Sequence, residues 1–179
     1  MLVGASGQRG AFSEAIIREM HRGCPRPIIL PISNPTDNAE AVPSAILSWT
    51  DGAAVVGTGS PFPPVSLHGV THHIGQGNNA LIFPGVGLGA IAVDARRLTE
   101  SAFEAAGNAV FEYAGVSGRP GEPIYPPLAK LRDVSVRVAL AVATALIEAG
   151  AAPSLTRDEI EARVRSIVWE PVYRPYRKA

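Results

Sequence analysis

A single cysteine, Cys24, occurs in 179 residues, which excludes an internal disulfide framework and a cysteine-based zinc cluster. It precedes Pro25 and has no neighbouring His or Cys, so no catalytic thiol is expected there. Charge is also scarce. Charged residues make up 18% of the chain, and sixteen basic side chains are cancelled by sixteen acidic ones. That balance gives no electrostatic footprint for a nucleic acid or an anionic membrane surface. Apolar stretches are broken by Gly, Pro or a charge well short of the roughly 18 residues of a membrane span. The opening Met1-Leu2-Val3-Gly4 has no charged segment, long apolar run or small-residue cleavage site, and a reducing cytoplasm is the expected compartment. Neither an internal repeat nor a low-complexity segment is found. What is plentiful is apolar surface: 46% of residues are hydrophobic. That fills the core of one domain, and it is enough to leave a face for another segment or subunit to cover.

Short apolar runs alternate with helical patterns. Leu2-Val3-Gly4 reads as the end of a strand whose beginning lies outside the chain, which would leave a bare sheet edge. A glycine-rich loop, 5–11, leads into a helix over 12–21, with Ser13 placed to cap it. Pro27 to Leu30 is a buried strand, stopped by Pro31 and the turn Ser33-Asn34-Pro35-Thr36. Pro43 to Trp49 is a short helix with proline in its first turn. Ala53 to Val56 is a third strand. Apolar strands separated by helices indicate a parallel sheet covered on both faces, the partial doubly wound (Rossmann-like) α/β class.

After Gly69 helices dominate. Residues 80–93 are small and apolar around Gly85, Gly87 and Gly89, which permits close packing of backbones. Thr99 caps a helix to Ala114. Leu128, Leu131, Val134, Val138, Val142 and Leu146 form one stripe of a long helix that ends at Gly150. Thr156 caps a last helix to about Ile167, with Glu159 at the capping-box position. The chain therefore divides into a body, 1–150, and a C-terminal helix with an aromatic, basic tail, 151–179.

Three loops hold candidate chemistry. The first, Gly4-Ala5-Ser6-Gly7-Gln8-Arg9-Gly10, joins a strand end to a helix, a place where backbone N–H groups can face an anion or a ribose. Its G-x-x-G-x-x-G spacing is not the dinucleotide fingerprint, and a tight strand-to-helix turn is the plainer alternative. In the second, Asn34 follows a strand and can serve a carboxylate or carboxamide; the alternative is an Asx turn. In the third, Gly75-Gln76-Gly77-Asn78-Asn79 precedes Phe83-Pro84-Gly85, and amides at a helix start can hold a carboxylate without adding charge. There the alternative is a helix cap by Asn79. His72 and His73 are expected at the surface, and Asp94, Glu100 and Glu104 on a solvated helix face.

Taken in order, Ser6-Gly7-Gln8, Arg26-Pro27-Ile28-Ile29, Ser33-Asn34-Pro35-Thr36, Gly59-Ser60-Pro61-Phe62, residues 75–85 and Tyr125-Pro126-Pro127-Leu128 resemble the malic enzymes. The ending from Trp169 to Arg177 is similar to bacterial NAD-linked members. The resemblance covers nearly the whole chain. It implies oxidative decarboxylation of malate to pyruvate and CO2 with reduction of NAD, in the presence of Mg2+ or Mn2+. It implies that 1–150 is the C-terminal part of the NAD-binding domain, followed by C-terminal helices. Carried over, Asn34 and Asn79 contact malate, and Asn78 lies beside them near substrate and nicotinamide. Gly4, Ser6, Gly7 and Gly10, with Asn34, lie along NAD.

The departures are as informative. The family's proton-donating Tyr, general-base Lys, malate-binding Arg, metal-binding acids and G-x-G-x-x-G loop have no matching motif here. Only Lys130 and Lys178 are present, neither in a catalytic motif. No catalytic residue and no metal ligand is therefore expected in this chain, which is expected to be inactive without the N-terminal half. Malate, that missing half and further copies in a homo-oligomer are the expected partners. The other reading is a non-enzymatic nucleotide-binding or dimerisation module.

Overall fold

The computed structural model describes residues 1–169, 172, 173 and 176. Most of the aromatic, basic tail thus lies outside the described residues. Four strands, β1 (Leu2–Gly4), β2 (Ile28–Pro31), β3 (Val55–Thr58) and β6 (Gly75–Gln76), form one sheet in the order β1-β2-β3-β6. Every neighbouring pair is parallel. The crossovers carry α1 (Glu14–Gly23) and α2 (Pro43–Trp49), which pack on each other.

Strand alternation sets which side chains enter the core. Leu2 pairs with Ile29, and Ile29 with Val56, so these three lie on one face. That face packs with Phe12, Ile17, Ile46 and Leu47 from the α1–α2 side. The opposite face carries Val3 and Ile28, 49% and 39% exposed. The strands are apolar on both sides, as expected, but among the described residues only one side is fully covered.

The local differences from expectation have physical causes. α1 starts at Glu14, not Phe12: the Phe12 N–H donates to the Glu40 carbonyl at 3.1 Å, and its ring is buried. β3 is shifted two residues onward from the expected 53–56. The Thr50 hydroxyl accepts from the Ala54 N–H, holding 53–54 in the turn after α2, while Gly57 and Thr58 pair with Gly75 and Gln76. A hairpin, β4 (Val65–Leu67) and β5 (Val70–His72), was not expected. Its signal was the alternation Val-Ser-Leu and Val-Thr-His around His68-Gly69, both of which adopt positive φ. His72 ends β5 and is buried at 6% exposure, so its expected surface position is corrected. The two histidines do point apart, and His73 is exposed. Burial pushes the His72 imidazole below its ordinary pKa.

The C-terminal body is helical: α3 (Phe83–Ala92), α4 (Glu100–Ala114), α5 (Leu131–Glu148) and α6 (Arg157–Ile167). α5 packs against the other three. Val134, Val138, Val142 and Leu146 are fully buried along it. Gly85 and Gly89 allow α3 to lie against α5: a Cβ on Gly85 would meet Val138 at 2.5 Å, and one on Gly89 the Ala139 carbonyl at 2.6 Å. Thr99 caps α4, Thr156 and Glu159 close the capping box of α6, and Gly150 takes a left-handed conformation after α5. Asp94 ion-pairs with Arg163 at 3.0 Å.

Candidate ligand-binding edge of the sheet

Because the four strands are parallel, their carboxyl ends share one edge of the sheet. β1 releases the glycine loop, β2 the Ser33-Asn34 loop, β3 Gly59-Ser60, and β6 Gly77-Asn78-Asn79. Segments far apart in sequence thus become neighbours in strand order. The edge of such a sheet beyond the strand carboxyl ends is where ligands bind.

Asn34 is exposed, and its Oδ1 accepts a hydrogen bond from the Ser60 hydroxyl. That bond fixes which way the amide lies, with Nδ2 beside Gly59. The position of Ser60 is fixed by its neighbours: the Thr58 hydroxyl donates to the Ser60 carbonyl at 2.8 Å, and Gln76 Nε2 donates to the Gly59 carbonyl at 3.0 Å. Gly59 has no room for a side chain, since a Cβ would fall 2.0 Å from the Ile32 carbonyl oxygen. The Asn34-Pro35 peptide bond is cis.

At the end of β6 the cap is Asn78 and not Asn79. Asn78 Oδ1 accepts from the Ala80 N–H at 2.9 Å, opening a 3-10 turn over Asn79–Leu81. The Asn79 amide is exposed and makes no hydrogen bond to the described residues. The loop rests on Tyr125, whose ring lies across glycines: Cβ atoms at Gly57 and Gly77 would meet it at 2.7 and 3.0 Å. Burial raises the Tyr125 phenol pKa. This anchoring role was not read from the sequence, although Tyr125-Pro126-Pro127 and Gly77 were noted there.

The glycine loop is built around an acid. Glu40 is fully buried. Its Oε1 accepts from the Ser33 hydroxyl at 2.6 Å, the Ser6 N–H at 2.7 Å and the Ser6 hydroxyl at 2.8 Å. The Gly7 N–H donates to the Ser33 hydroxyl at 2.9 Å, and the Gln8 N–H to the Ser6 hydroxyl at 3.2 Å. Three consecutive loop N–H groups are therefore engaged inside the protein, on a serine–carboxylate cluster. Burial opposes the Glu40 charge, but the Ser33 and Ser6 hydrogen bonds outweigh it and bring the carboxyl down to about 2. Gly4 must be glycine for a packing reason, since a Cβ there would sit 2.6 Å from both Glu40 Cδ and Phe12 Cζ. Ser6, Gly7 and Gly10 are exposed, and the two glycines adopt positive φ. Glu40 was missed in the sequence because one acid in Ala39-Glu40-Ala41 carries no motif; its apolar neighbours were the only sign that it is buried.

Ser6, Gly7, Gly10, Asn34 and Asn79 are exposed along this edge. A cavity of about 510 Å³ opens at the other end of the sheet, beside Arg26, Ala53, His72 and Arg119, and one of about 640 Å³ lies among α4, α5 and α6. Neither contains Asn34, Asn78, Asn79 or the glycine loop. Among the described residues no three His, Cys, Asp or Glu side chains group as metal ligands. Nor is any helix of the described residues long and apolar enough to cross a membrane.

A parallel α/β sheet with glycine and amide loops at its carboxyl edge is the arrangement of a doubly wound, Rossmann-like domain. Comparison with known families narrows this. The model described as the malic enzyme NAD-binding domain matches residues 1–147, and the chain belongs to that family. It is 45% identical over 178 residues to an NAD-dependent malic enzyme of Pseudomonas syringae pv. syringae, covering 99% of this chain and 32% of that protein. To NAD-dependent malic enzyme 3 of Bacillus subtilis it is 47% identical over 177 residues, covering 99% and 31%. The crystal structure of malic enzyme from Pyrococcus horikoshii superposes with a TM-score of 0.68 at 26% identity, over 92% of this chain and 34% of that one. The chain spans about a third of the length of these relatives.

Proposed function

We propose that this chain supplies the NAD- and malate-contacting edge of an NAD-dependent malic enzyme, corresponding to its C-terminal portion. The reaction is malate plus NAD+ giving pyruvate, CO2 and NADH. One observation carries the reading: the parallel sheet gathers Asn34, whose amide is oriented by Ser60, and the unengaged Asn79 on one edge beside the glycine loop. Neutral amides suit a dicarboxylate whose charge is met elsewhere, since they orient it without adding charge. Asn79 and Asn34 Nδ2 are the donors for malate. Asn78, whose Oδ1 is committed to its turn, orients Asn79 and reaches the nicotinamide side with its remaining N–H2.

The residues also fit part of NAD. The outward surface of Ser6, Gly7 and Gly10 is open, Gly4 supports it from below, and Asn34 stands next to it. That surface fits the ribose and carboxamide better than a phosphate, because the loop N–H groups donate inward. The amides are poor sole ligands for a hard divalent cation, which prefers clustered anionic oxygens. The Mg2+ or Mn2+ of the complete enzyme would therefore be held by residues outside this chain.

The partly bare sheet face and the exposed loops both call for a second wall, which we assign to the rest of the enzyme, about two thirds of its length. Residues 1–150 complete the NAD-binding domain, 151–179 form an appended helix and tail, and the complete enzyme is a cytoplasmic homo-oligomer. The test is kinetic, on the chain recombined with the rest of the enzyme. Asn34→Ala and Asn79→Ala each lower kcat/KM for malate by roughly 5- to 150-fold, the effect of about 1–3 kcal/mol of lost buried hydrogen bonding. Asn79 is exposed, so Asn79→Ala leaves the melting temperature of the chain alone unchanged, whereas Asn34→Ala also removes the acceptor of the buried Ser60 hydroxyl and lowers it modestly. Unchanged kinetics in both variants would remove the substrate role.

A further inference from the structure

The strongest unassigned feature is the buried carboxylate of Glu40. It hydrogen-bonds to both ligand loops at once. On one side it holds the Ser6 N–H and hydroxyl of the loop after β1. On the other it holds the hydroxyl of Ser33, the residue next to Asn34. Ser33 closes the bridge by accepting the Gly7 N–H. The Glu40 backbone ties down the far end of the glycine loop as well, through its carbonyl and the Phe12 N–H.

An ionised carboxylate here is costly to bury unless several donors meet it. Oε1 has three, while Oε2 is buried with no hydrogen-bond partner. A residue kept only for stability would be better served by an apolar side chain in this place, among Phe12 and Gly4. The carboxylate occupies the position at the loop where an anionic ligand would otherwise meet the N–H groups. We propose that Glu40 is a positioning residue that couples the glycine loop to the Ser33-Asn34 loop, so that engagement of the first sets the second. The identity of the two ligands, NAD at the first loop and malate at the second, rests on the function proposed above; the mechanical link does not.

Hydrogen–deuterium exchange of the whole 179-residue chain, read by mass spectrometry, separates the two. The peptides to follow cover 4–12, 33–38 and, as reference, 131–148. Glu40→Gln keeps the shape and removes the charge. It is expected to speed exchange about tenfold or more in both loops and leave 131–148 unchanged. In the parent chain NAD is expected to slow exchange in both loops; in Glu40→Gln it should slow 4–12 only. That loss of transmission is what a merely stabilising residue would not produce. Unchanged exchange in both loops, or NAD protection still reaching 33–38 in the variant, overturns the proposal. If Glu40→Gln loosens 131–148 too, Ser33→Ala decides: it leaves Glu40 bound to Ser6 and cuts only the bridge. Protection by NAD must then stop at 4–12, and protection that still spreads to 33–38 overturns the link. If NAD slows neither loop in the parent chain, the cofactor reading of the loop fails. The link is then decided without ligand by Ser6→Ala: exchange that also quickens in 33–38, a segment that Ser6 does not bond, supports it, and a change confined to 4–12 overturns it.

Discussion

The sheet with its loops and the helical body are held together differently. In the body, α5 is surrounded: its Val134, Val138, Val142 and Leu146 are fully buried, and glycines on α3 let the two backbones approach. Apolar burial and close packing do the work there. In the sheet, one face is packed under α1 and α2 and the other is partly bare. Its carboxyl edge is organised by polar bonds, Ser60 to Asn34 and three donors to Glu40. One region fills its own core around α5, even though Phe83, Ile91, Phe103 and Phe111 are exposed on its outside. The other is specified in its loops and open on its surface, as expected of a site whose second wall comes from elsewhere.

The largest effects should expose that contrast. Leu146→Ala, at a fully buried site, should cost about 2–5 kcal/mol in thermal or denaturant unfolding. Val3→Ala, on the open face, should stay within about 0.5 kcal/mol in the chain alone. In the recombined enzyme the same change should become measurably destabilising, because the face is then covered. An equal and small effect in both forms would mean that nothing covers it.

Next come two glycines of one helix. Alanine is favoured over glycine in a helix by about 1 kcal/mol, and overpacking costs about 1–3 kcal/mol. Gly85→Ala would put a Cβ 2.5 Å from Val138, so the cost wins and stability falls. At Gly87 a Cβ meets nothing within 4 Å, so propensity wins and Gly87→Ala should raise the melting temperature. Shifts of the same sign would contradict the helix packing described.

The sheet region should be the more sensitive to acid. The Glu40 carboxyl is lowered from its ordinary 4.5 to about 2, so folding strengthens its negative charge. Its stabilising contribution is whole above pH 4.5 and is lost as pH falls toward about 2. Glu40→Gln should flatten that part of the stability–pH curve, measured by chemical unfolding at a series of pH values. A curve identical to the parent would dissociate the charge from the loop bonds. The smallest effect is Thr156→Ala, which removes the capping box of α6 at a cost of about 1 kcal/mol and should leave the site untouched.

Much of this was legible in the sequence because the physics was local. Helix caps at Thr99 and Thr156, proline at the start of α2 and the stripe of α5 depend on spacing within one segment. The amide and glycine loops could be picked out singly, and their order pointed to the family. What escaped was set by tertiary pairing. Glu40 looks like any acid until Ser6 and Ser33 are brought around it, Ser60 gains meaning only beside Asn34, and Asn78 takes the cap that had been considered for Asn79. β3 slid onward because its partner β6 lay 17 or more residues downstream, out of reach of any local pattern. His72 went under because β5 turns its ring inward beside Gly52.

The central claim is that this edge is one wall of a malate-oxidising site. Its most direct test is NADH formation from malate, with Mg2+ or Mn2+ present, by the purified chain alone and after recombination with the rest of the enzyme. No turnover above a mock purification is expected from the chain alone, and clear turnover once the rest of the enzyme is added. Turnover by the chain alone would rule this role out, as would a recombined enzyme that assembles from both pieces and still leaves malate untouched.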